Sequence, residues 1–277
     1  MNERESALAL PLLALFAAFF VAPLCILVSL SLHAEAAMRT WTLANYVKFF
    51  TDAFNYSILS ETLLLGLKAT IVCLLFAYPL AWVCVRAGIR WQRVIIFLVI
   101  MPILTSVVVR TFAWIVILGR QGVLNQIWLA LGGGEPLRLL YSEAGLIMVL
   151  AQVQMPLMAL PIITVMSKID RNLTDVSRVL GAGEWRTFWR VTLPLSMPGV
   201  IAGCILTYTA CITAFVSQTL IGGARLIYMP LHIYQQAIGA NNWPFAAAIS
   251  VIFMLAVLVI LFVVGVIGRR TETYARA

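Results

Sequence analysis

The 277-residue chain carries 19 basic and 11 acidic side chains, a formal net charge of +8, and is 62% hydrophobic but only 11% charged. Soluble domains carry about 25% charged residues, so this chain lacks the polar surface that a water-soluble globule needs. The composition excludes an ordinary soluble domain and predicts an integral membrane protein.

Six apolar stretches are each long enough to cross the hydrocarbon core, which takes about 20 residues in a helix. In chain order they are Leu8–Leu32, Thr62–Val85, Val94–Leu118, Ala144–Ser167, Val200–Ile221 and Phe245–Ile267. None shows the alternating pattern of a membrane β-barrel. The first stretch exceeds the apolar region of about 7–15 residues that a signal peptide carries. We therefore expect an all-α protein with six transmembrane helices, the first of them retained, forming a single domain over residues 1–277.

The lysines and arginines between the stretches are distributed unevenly. Most of them lie before residue 8, in 86–93, in 168–190 and after residue 268. The side richer in Lys and Arg faces the cytoplasm, so both termini and the loop 168–199 are expected inside. The positive charge then reflects topology and attraction to the anionic lipid of the bilayer, and it gives no reason to expect a nucleic-acid partner.

The residue types that carry catalysis or metal binding are sparse. The only histidines are His33 and His232, and neither has ligand partners nearby in sequence. The five cysteines form no CxxC pair and all fall in predicted spans: Cys25, Cys73, Cys84, Cys204 and Cys211. We find no Ser/His/Asp set, no paired carboxylates and no phosphate-binding glycine loop. The sequence predicts no catalytic site, no metal site and no cofactor in this chain.

The loop between the fourth and fifth stretches contains the run LGAGEWRTFWRVTLP, residues 180–194. Apolar residues precede it at helical spacing, namely Val176, Val179 and Leu180. Gly181 permits a bend, and a second short helix is expected to follow, ending at Pro194 and Pro198. Its aromatic residues share one face and its arginines another: Trp185, Phe188, Trp189, Arg186 and Arg190. An amphipathic loop resting on the membrane surface is the alternative interpretation.

Asp175-Val176-Ser177, Gly181-Ala182 and Leu193-Pro194 together resemble the EAA loop of ABC-importer permeases, although Asp-Val-Ser departs from EAA at all three letters. The resemblance covers the whole chain and implies a type I importer permease. It implies that residues 168–199 form the cytoplasmic coupling helix, which docks in a groove of an ATPase. The residues that it assigns to coupling are Asp175, Arg178, Leu180, Gly181, Ala182, Trp185, Phe188, Trp189 and Arg190.

The same resemblance implies the location of the chain and the other subunits of the transporter. The chain would be a multi-pass subunit of the bacterial cytoplasmic (inner) membrane and not itself an enzyme. It would form a translocation path with a second six-span permease, in a heterodimer. A dimer of cytoplasmic ATP-binding subunits would hold ATP and Mg, and a periplasmic or extracellular solute-binding protein would deliver the substrate.

Three shorter motifs resemble spermidine/putrescine-type permeases: RTFAW at 110–114, LGRQGVLN at 118–125 and NWPF at 242–245. They imply a polyamine substrate. Permeases for other small organic solutes, such as amino acid-like compounds or phosphonates, or for ferric ion share parts of these motifs and remain alternatives. A stand-alone channel or secondary carrier would need intramembrane acids or histidines, and the third to sixth stretches contain none. A membrane enzyme would need a catalytic cluster at the surface.

Polar and aromatic residues in the third to fifth stretches are candidates for the substrate path: Arg110, Trp114, Gln154, Tyr208 and Ser217. Three prolines are candidates to break helices there: Pro102, Pro156 and Pro161. Ordinary hydrogen bonding between packed helices is the alternative for each polar residue. Lys68 and Arg110 are charges inside predicted spans, and no acid lies between Thr62 and Leu118. We therefore expect a partner subunit to supply acids, or the substrate to be anionic or zwitterionic.

Overall fold

A computed structural model describes the backbone of residues 3–276. The side chains of residues 3–10, 12–14, 171, 174, 175, 178, 224 and 267–276 lie outside the described set. Over the described range the chain is helical, and its one β-bridge joins His33 to Trp41.

Thirteen α-helices follow one another along the described chain. They are α1 (Glu3–Ser31), α2 (Ala44–Thr51), α3 (Ala53–Arg86), α4 (Ile89–Ile100), α5 (Val107–Leu118), α6 (Val123–Ala130), α7 (Glu143–Met166), α8 (Arg171–Val179), α9 (Glu184–Thr187), α10 (Leu193–Ile212), α11 (Phe215–Gly222), α12 (Met229–Tyr234) and α13 (Trp243–Arg276). Two 3₁₀ turns, Met101–Leu104 and Gly223–Arg225, and two π-helical turns, Phe188–Thr192 and Gln235–Gly239, lie between them.

Five helical segments of the described chain are long and apolar enough to cross a membrane. They are Ala53–Arg86, Val107–Ala130, Glu143–Met166, Glu184–Ile212 and Trp243–Val266. Single helices therefore occupy the second, fourth and sixth predicted spans. At the first predicted span α1 is helical from Glu3 to Ser31, and among the residues whose side chains the structure describes its apolar part is Leu15–Ser31. Six spans stay a prediction.

The predicted bounds of the third and fifth spans are wrong. The third stretch is interrupted between α4 and α5, where a 3₁₀ turn that includes Pro102 is followed by extended backbone at Thr105. Proline lacks the N–H that an α-helix needs and fixes its own φ, which accounts for the break. The fifth span begins earlier, at Glu184, and its helix stops at Thr213 before α11.

The prolines of α7 do not break it, contrary to expectation. Pro156 and Pro161 both lie inside the continuous helix Glu143–Met166. Each removes one backbone hydrogen bond, but neighbouring helices can hold such a helix in place. Here α10 packs along α7, and this packing accounts for the unbroken helix.

The chain divides into two compact units, which we describe separately. The first comprises Met1–Leu59 and Leu231–Ala256. In it the end of α1 is joined to α2, because the Ser31 hydroxyl lies 2.7 Å from the Tyr46 hydroxyl. Asn45 Nδ2 donates to the carbonyl oxygen of His33 at 2.9 Å.

The second unit comprises Ser60–Pro230 and Val257–Ala277. It contains the loop 168–199 and the residues predicted to line the substrate path. Its core is built from small residues of α3, such as Ala77 and Ala81, against Met158 and Ile162 of α7. Gly203 of α10 lies so close to α7 that an added Cβ would stand 2.9 Å from the Met158 carbonyl oxygen. The α7–α10 pair is thus tightly packed, and residues 167–192 connect its two members.

Candidate functional site

The segment 168–199, which we call the coupling segment, begins with α8. The Asp170 carboxylate accepts a hydrogen bond from the Asn172 backbone N–H at 2.9 Å, as an N-cap residue does. The helix ends at Gly181, whose φ is +81°, and Ala182 N–H bonds back to the Ser177 carbonyl at 3.0 Å. This is a Schellman ending, which favours glycine because it needs a left-handed residue. The predicted bend at Gly181 is confirmed.

The end of α8 presents an uncovered apolar surface. Val179 is 87% exposed and Leu180 is 81% exposed, and Leu173 and Val176 are exposed beside them. We call these four residues the apolar tip. Large apolar side chains grouped on a surface commonly mark an interaction site. The side chains of Asp175 and Arg178, predicted for the same surface, lie outside the described residues.

A groove of ≈ 440 Å³ adjoins the apolar tip. Its lining residues come from α8, from the turn after it and from the helix that follows: Leu173, Val176, Ser177, Leu180, Ala182, Arg186, Arg190 and Val191. The groove therefore places two arginines next to apolar side chains. Its two walls are joined by a hydrogen bond of 2.9 Å between the hydroxyls of Ser177 and Thr187, which the sequence did not single out.

The three aromatic residues of the coupling segment share one face, as their spacing predicts, but that face is not wholly exposed. Phe188 is half-buried, and its ring meets that of Tyr78 edge-on at 5.7 Å between centroids. Trp185 and Trp189 flank it at 5.9 and 5.6 Å. The two tryptophans remain exposed. Phe188 therefore belongs to the packing that fixes the segment on α3, while the tryptophans face outward.

The second short helix does not end at its prolines, contrary to expectation. A π-helical turn, Phe188–Thr192, leads from α9 directly into α10, and Pro194 and Pro198 lie within α10. In an α-helix the ring of Pro194 would clash with the carbonyl four residues earlier. That residue, Arg190, lies in the π-helical turn, where the bonding runs to the fifth residue. The coupling segment is thus continuous with the transmembrane helix after it.

Two of the predicted path residues lie together where α5 faces α7. Trp114 Nε1 donates to the Gln152 side-chain oxygen at 3.1 Å. Arg110 Nη1 lies 3.5 Å from the Val153 carbonyl oxygen. A cavity of ≈ 340 Å³ adjoins Gln152. It is otherwise lined by apolar residues: Leu80, Ile95, Leu98, Val99, Pro102, Met155 and Pro156.

The other three predicted path residues bond to neighbouring helices elsewhere. Gln154 Nε2 reaches the Ala210 carbonyl at 3.4 Å, and the buried Tyr208 hydroxyl lies 3.5 Å from the Leu63 carbonyl. Ser217 is buried with its hydroxyl 3.2 Å from that of Thr111. Such contacts are typical of helix packing in membranes. The structure therefore does not gather the five residues into one site.

For Lys68, the expectation that a partner subunit supplies the acid, or that the substrate is anionic, is wrong, because this chain supplies the acid. Its Nζ lies 2.6 Å from Oε1 of Glu143, the first residue of α7. The two residues are 75 positions apart in sequence, so sequence inspection of one stretch missed the pair. Close by, burial and then the charges of Glu143 and Glu61 raise the pKa of Tyr228, which keeps that phenol neutral. The described residues contain no cluster of His, Cys, Asp and Glu suited to a metal ion.

Comparison with known proteins decides the family. Residues 5–273 match the family described as binding-protein-dependent transport system inner membrane component. The chain belongs to this family. It is therefore a permease of an ABC importer, and its relatives are transport permeases and not enzymes.

Curated relatives are similar over most of the permease. The chain is 32% identical over 223 residues to the spermidine/putrescine transport system permease protein PotB of Haemophilus influenzae, covering 80% of this chain and 78% of that protein. It is 32% identical over 231 residues to PotB of Escherichia coli, covering 83% and 84%. It is 29% identical over 216 residues to the molybdenum transport system permease protein ModB of Mycobacterium bovis, covering 76% and 78%.

A solved structure shares the fold of the permease. A bacterial ABC transporter involved in the import of the acidic polysaccharide alginate matches with a TM-score of 0.76 at 18% sequence identity. The match covers 96% of this chain and 94% of that one. The same kind of transporter in complex with its alginate pentasaccharide-bound periplasmic protein matches with a TM-score of 0.77. At this identity the likeness concerns the fold.

Proposed function

We propose that this permease imports a polyamine-type organic cation, paired with a second six-span permease. The support is the resemblance of residues 110–114, 118–125 and 242–245 to polyamine-type permeases, together with relatives named for spermidine and putrescine transport. Both termini and the coupling segment face the cytoplasm, where the basic residues concentrate. The two compact units act as one transmembrane domain, to which a solute-binding protein delivers substrate from outside.

The energy for transport comes from a dimer of ATP-binding subunits that holds ATP and Mg, since this chain has no nucleotide-binding motif of its own. The observation that carries this step is the apolar tip, whose Val179 and Leu180 are more than four-fifths exposed on a helix ended by Gly181. Removing these apolar side chains from water in a partner's pocket favours docking. The resemblance to importer permeases assigns Asp175, Arg178 and Ala182 to coupling as well.

The groove beside the tip extends this docking surface. Arg186 and Arg190 line it, and acidic side chains of an ATPase would complement them. Trp185 and Trp189 add exposed aromatic surface, a residue type enriched at the most important positions of interfaces. Movement of the ATPase dimer would pass from this surface through the continuous helix Glu184–Ile212 into the membrane.

The substrate path passes the α5–α7 face. Trp114 and Gln152 are paired there beside the cavity that Gln152 helps to line, and Trp114 offers a ring face to a cationic ligand. Gln154, Tyr208 and Ser217 are reassigned to packing between helices, because each bonds to a neighbouring helix.

The experiment is purification of the tagged chain from its host in mild detergent, followed by mass spectrometry. We expect a nucleotide-binding ATPase and a second six-span protein to co-purify, and spermidine or putrescine with its binding protein to stimulate ATP hydrolysis. Leu180→Asp should release the ATPase and keep the second permease. Leu131→Asp is the matched control, because Leu131 is 80% exposed but lies outside the coupling segment. Retention of the ATPase by Leu180→Asp would contradict the docking role.

A further inference from the structure

In the described core, Arg110 is the charged side chain whose hydrogen-bond donors are least completely paired. It is half-buried on the first turns of α5. Among the described residues its one polar contact is the 3.5 Å approach of Nη1 to the Val153 carbonyl, and its Nε is buried with no hydrogen-bond partner. A guanidinium carries five N–H donors and stays charged in proteins. Most of its hydrogen-bonding capacity is therefore unused.

The position of Arg110 excludes the lipid head groups as its acceptors. Val153 lies in the middle of α7, ten residues from Glu143 and thirteen from Met166. At 1.5 Å per residue, the guanidinium is about 15–20 Å from either end of that helix. Lipid tails carry no hydrogen-bond acceptor at this depth. Charged residues here pair with another group or face a cavity.

Lys68 gives the contrast within the same chain. It is also a cation on a membrane-spanning helix, but Glu143 pairs with it. That is the only ion pair among the side chains that the structure describes. The described part of this chain thus supplies an acid for Lys68 and none for Arg110.

The surface around Arg110 is open to a protein partner. On the face of α5 that carries Arg110, one turn away from it, Val107 is 42% exposed, and Ser106 and Ala113 are also exposed. A neighbour that covers these side chains would also reach the guanidinium. The planar fork of arginine matches a carboxylate, which accepts two parallel hydrogen bonds.

We propose that α5 packs against the second permease and that an Asp or Glu of that permease pairs with Arg110 inside the membrane. This inference rests on the proposed function, which supplies the second permease. A polyamine is cationic and does not itself pair with arginine. Neutralising Arg110 with a carboxylate removes the positive charge that would otherwise repel such a substrate from the α5–α7 face.

The test uses the complete transporter with Arg110 kept and a photo-crosslinking amino acid in place of Ala113, which is exposed one turn away. We expect a covalent adduct with the second permease, and peptide mapping should place the crosslink beside an Asp or Glu. Arg110→Gln should lower uptake at least about tenfold and weaken co-purification of the second permease, because removing one partner leaves the other charge unpaired. Lys68→Gln is the matched control and should keep the permease pair, since its acid lies in this chain. Arg110→Glu combined with replacement of the mapped acid by Arg should restore assembly.

The outcomes separate this inference from the proposed function. If no second permease co-purifies with the unaltered chain, the proposed function fails. If it co-purifies but position 113 crosslinks only to lipid or to bound substrate, the inference is overturned and the proposed function stands. Unchanged uptake in Arg110→Gln also overturns it.

Discussion

Tyr78 holds the base of the coupling segment at two points. Its ring meets Phe188 edge-on at 5.7 Å, and its hydroxyl lies 2.9 Å from the Ser196 hydroxyl. Phe188 and Ser196 lie on either side of the passage from the π-helical turn into α10. The contacts therefore join α3 to the point where the coupling segment becomes a transmembrane helix.

Replacing Tyr78 should separate the effects of these two contacts. Tyr78→Phe keeps the ring contact and loses one hydrogen bond, worth about 0.5–1.5 kcal/mol, so uptake should stay near the native level. Tyr78→Leu also loses the aromatic pair, worth a further ~0.5–1.5 kcal/mol, and should raise the ATP hydrolysed per substrate imported. The measurement is uptake and hydrolysis in the same proteoliposomes. An unchanged ratio of ATP hydrolysed to substrate imported in Tyr78→Leu would show that the contacts of Tyr78 are dispensable for coupling.

Substitution of Gly181 should uncouple transport without preventing membrane insertion. An added Cβ meets nothing within 4 Å, but φ is +81°, so Gly181→Leu suffers backbone strain of about 1–2 kcal/mol. The strain should turn the apolar tip away, releasing the ATPase and abolishing uptake. Gly181→Asn should be milder, because Asn tolerates this region better.

Gly183→Ala is the control for Gly181, since Gly183 has no positive φ and an added Cβ there also meets nothing within 4 Å. Co-purification of the ATPase and substrate uptake are the two measurements. Normal uptake in Gly181→Leu would count heavily against the role of this segment in coupling.

Gly203→Val should destabilise the protein by crowding α7. An added Cβ at Gly203 would stand 2.9 Å from both the carbonyl oxygen and the sulfur of Met158. Overpacking of this kind costs about 1–3 kcal/mol, which should appear as a lower Tm in detergent. Gly265→Val is the control, because an added Cβ there meets nothing within 4 Å. Equal Tm values for the two variants would argue against close α7–α10 packing.

His232 should make stability depend on pH. It is buried in the first unit with Nε2 2.8 Å from Asn55 Oδ1, and Asn55 Nδ2 donates to Asp52 at 3.0 Å. Burial lowers the pKa of His232, with Asp52 acting in the opposite direction. The folded state thus favours neutral imidazole, while the unfolded chain takes up a proton near pH 6.5, the ordinary value.

The stability that depends on neutral His232 is therefore complete above about pH 6.5 and is lost as the pH falls below that value. In His232→Gln the amide can still donate to Asn55 but cannot titrate. We expect the Tm of this variant to fall less than that of the native protein between about pH 7.5 and about pH 5.5. Equal losses of Tm would exclude His232 as the titrating group.

Hydropathy located the helices better than it located their interruptions. The second, fourth and sixth stretches were recognisable because their apolar residues run without a break and the chain is helical throughout them. The stop of α10 at Thr213 has no proline to signal it. The break before α5 has Pro102, but the same residue type leaves α7 intact at Pro156 and Pro161. Whether a proline breaks the helix depends on tertiary packing, which cannot be read from a single sequence.

The candidate site was predictable where local rules decide it. The bend at Gly181 follows from the left-handed conformation that glycine permits, and the shared apolar face of Val176, Val179 and Leu180 follows from helical spacing. The inward turn of Phe188 was not predictable, because it depends on Tyr78, 110 positions away in the chain. The Lys68–Glu143 pair was missed for the same reason.

The π-helical turn Phe188–Thr192 sets the direction in which the coupling segment points. Leu193 N–H bonds to the carbonyl of Phe188, five residues back, so the turn holds one residue more than an α-helical turn does. Each residue of an α-helix advances the chain by about 100°. Removing one residue from the turn would swing Trp185 and the apolar tip through about a quarter of a circle relative to α10. The direction of the coupling segment thus depends on its rotation about the axis of α10. A single-residue insertion or deletion in the turn would change that rotation without altering the chemistry of the side chains that dock.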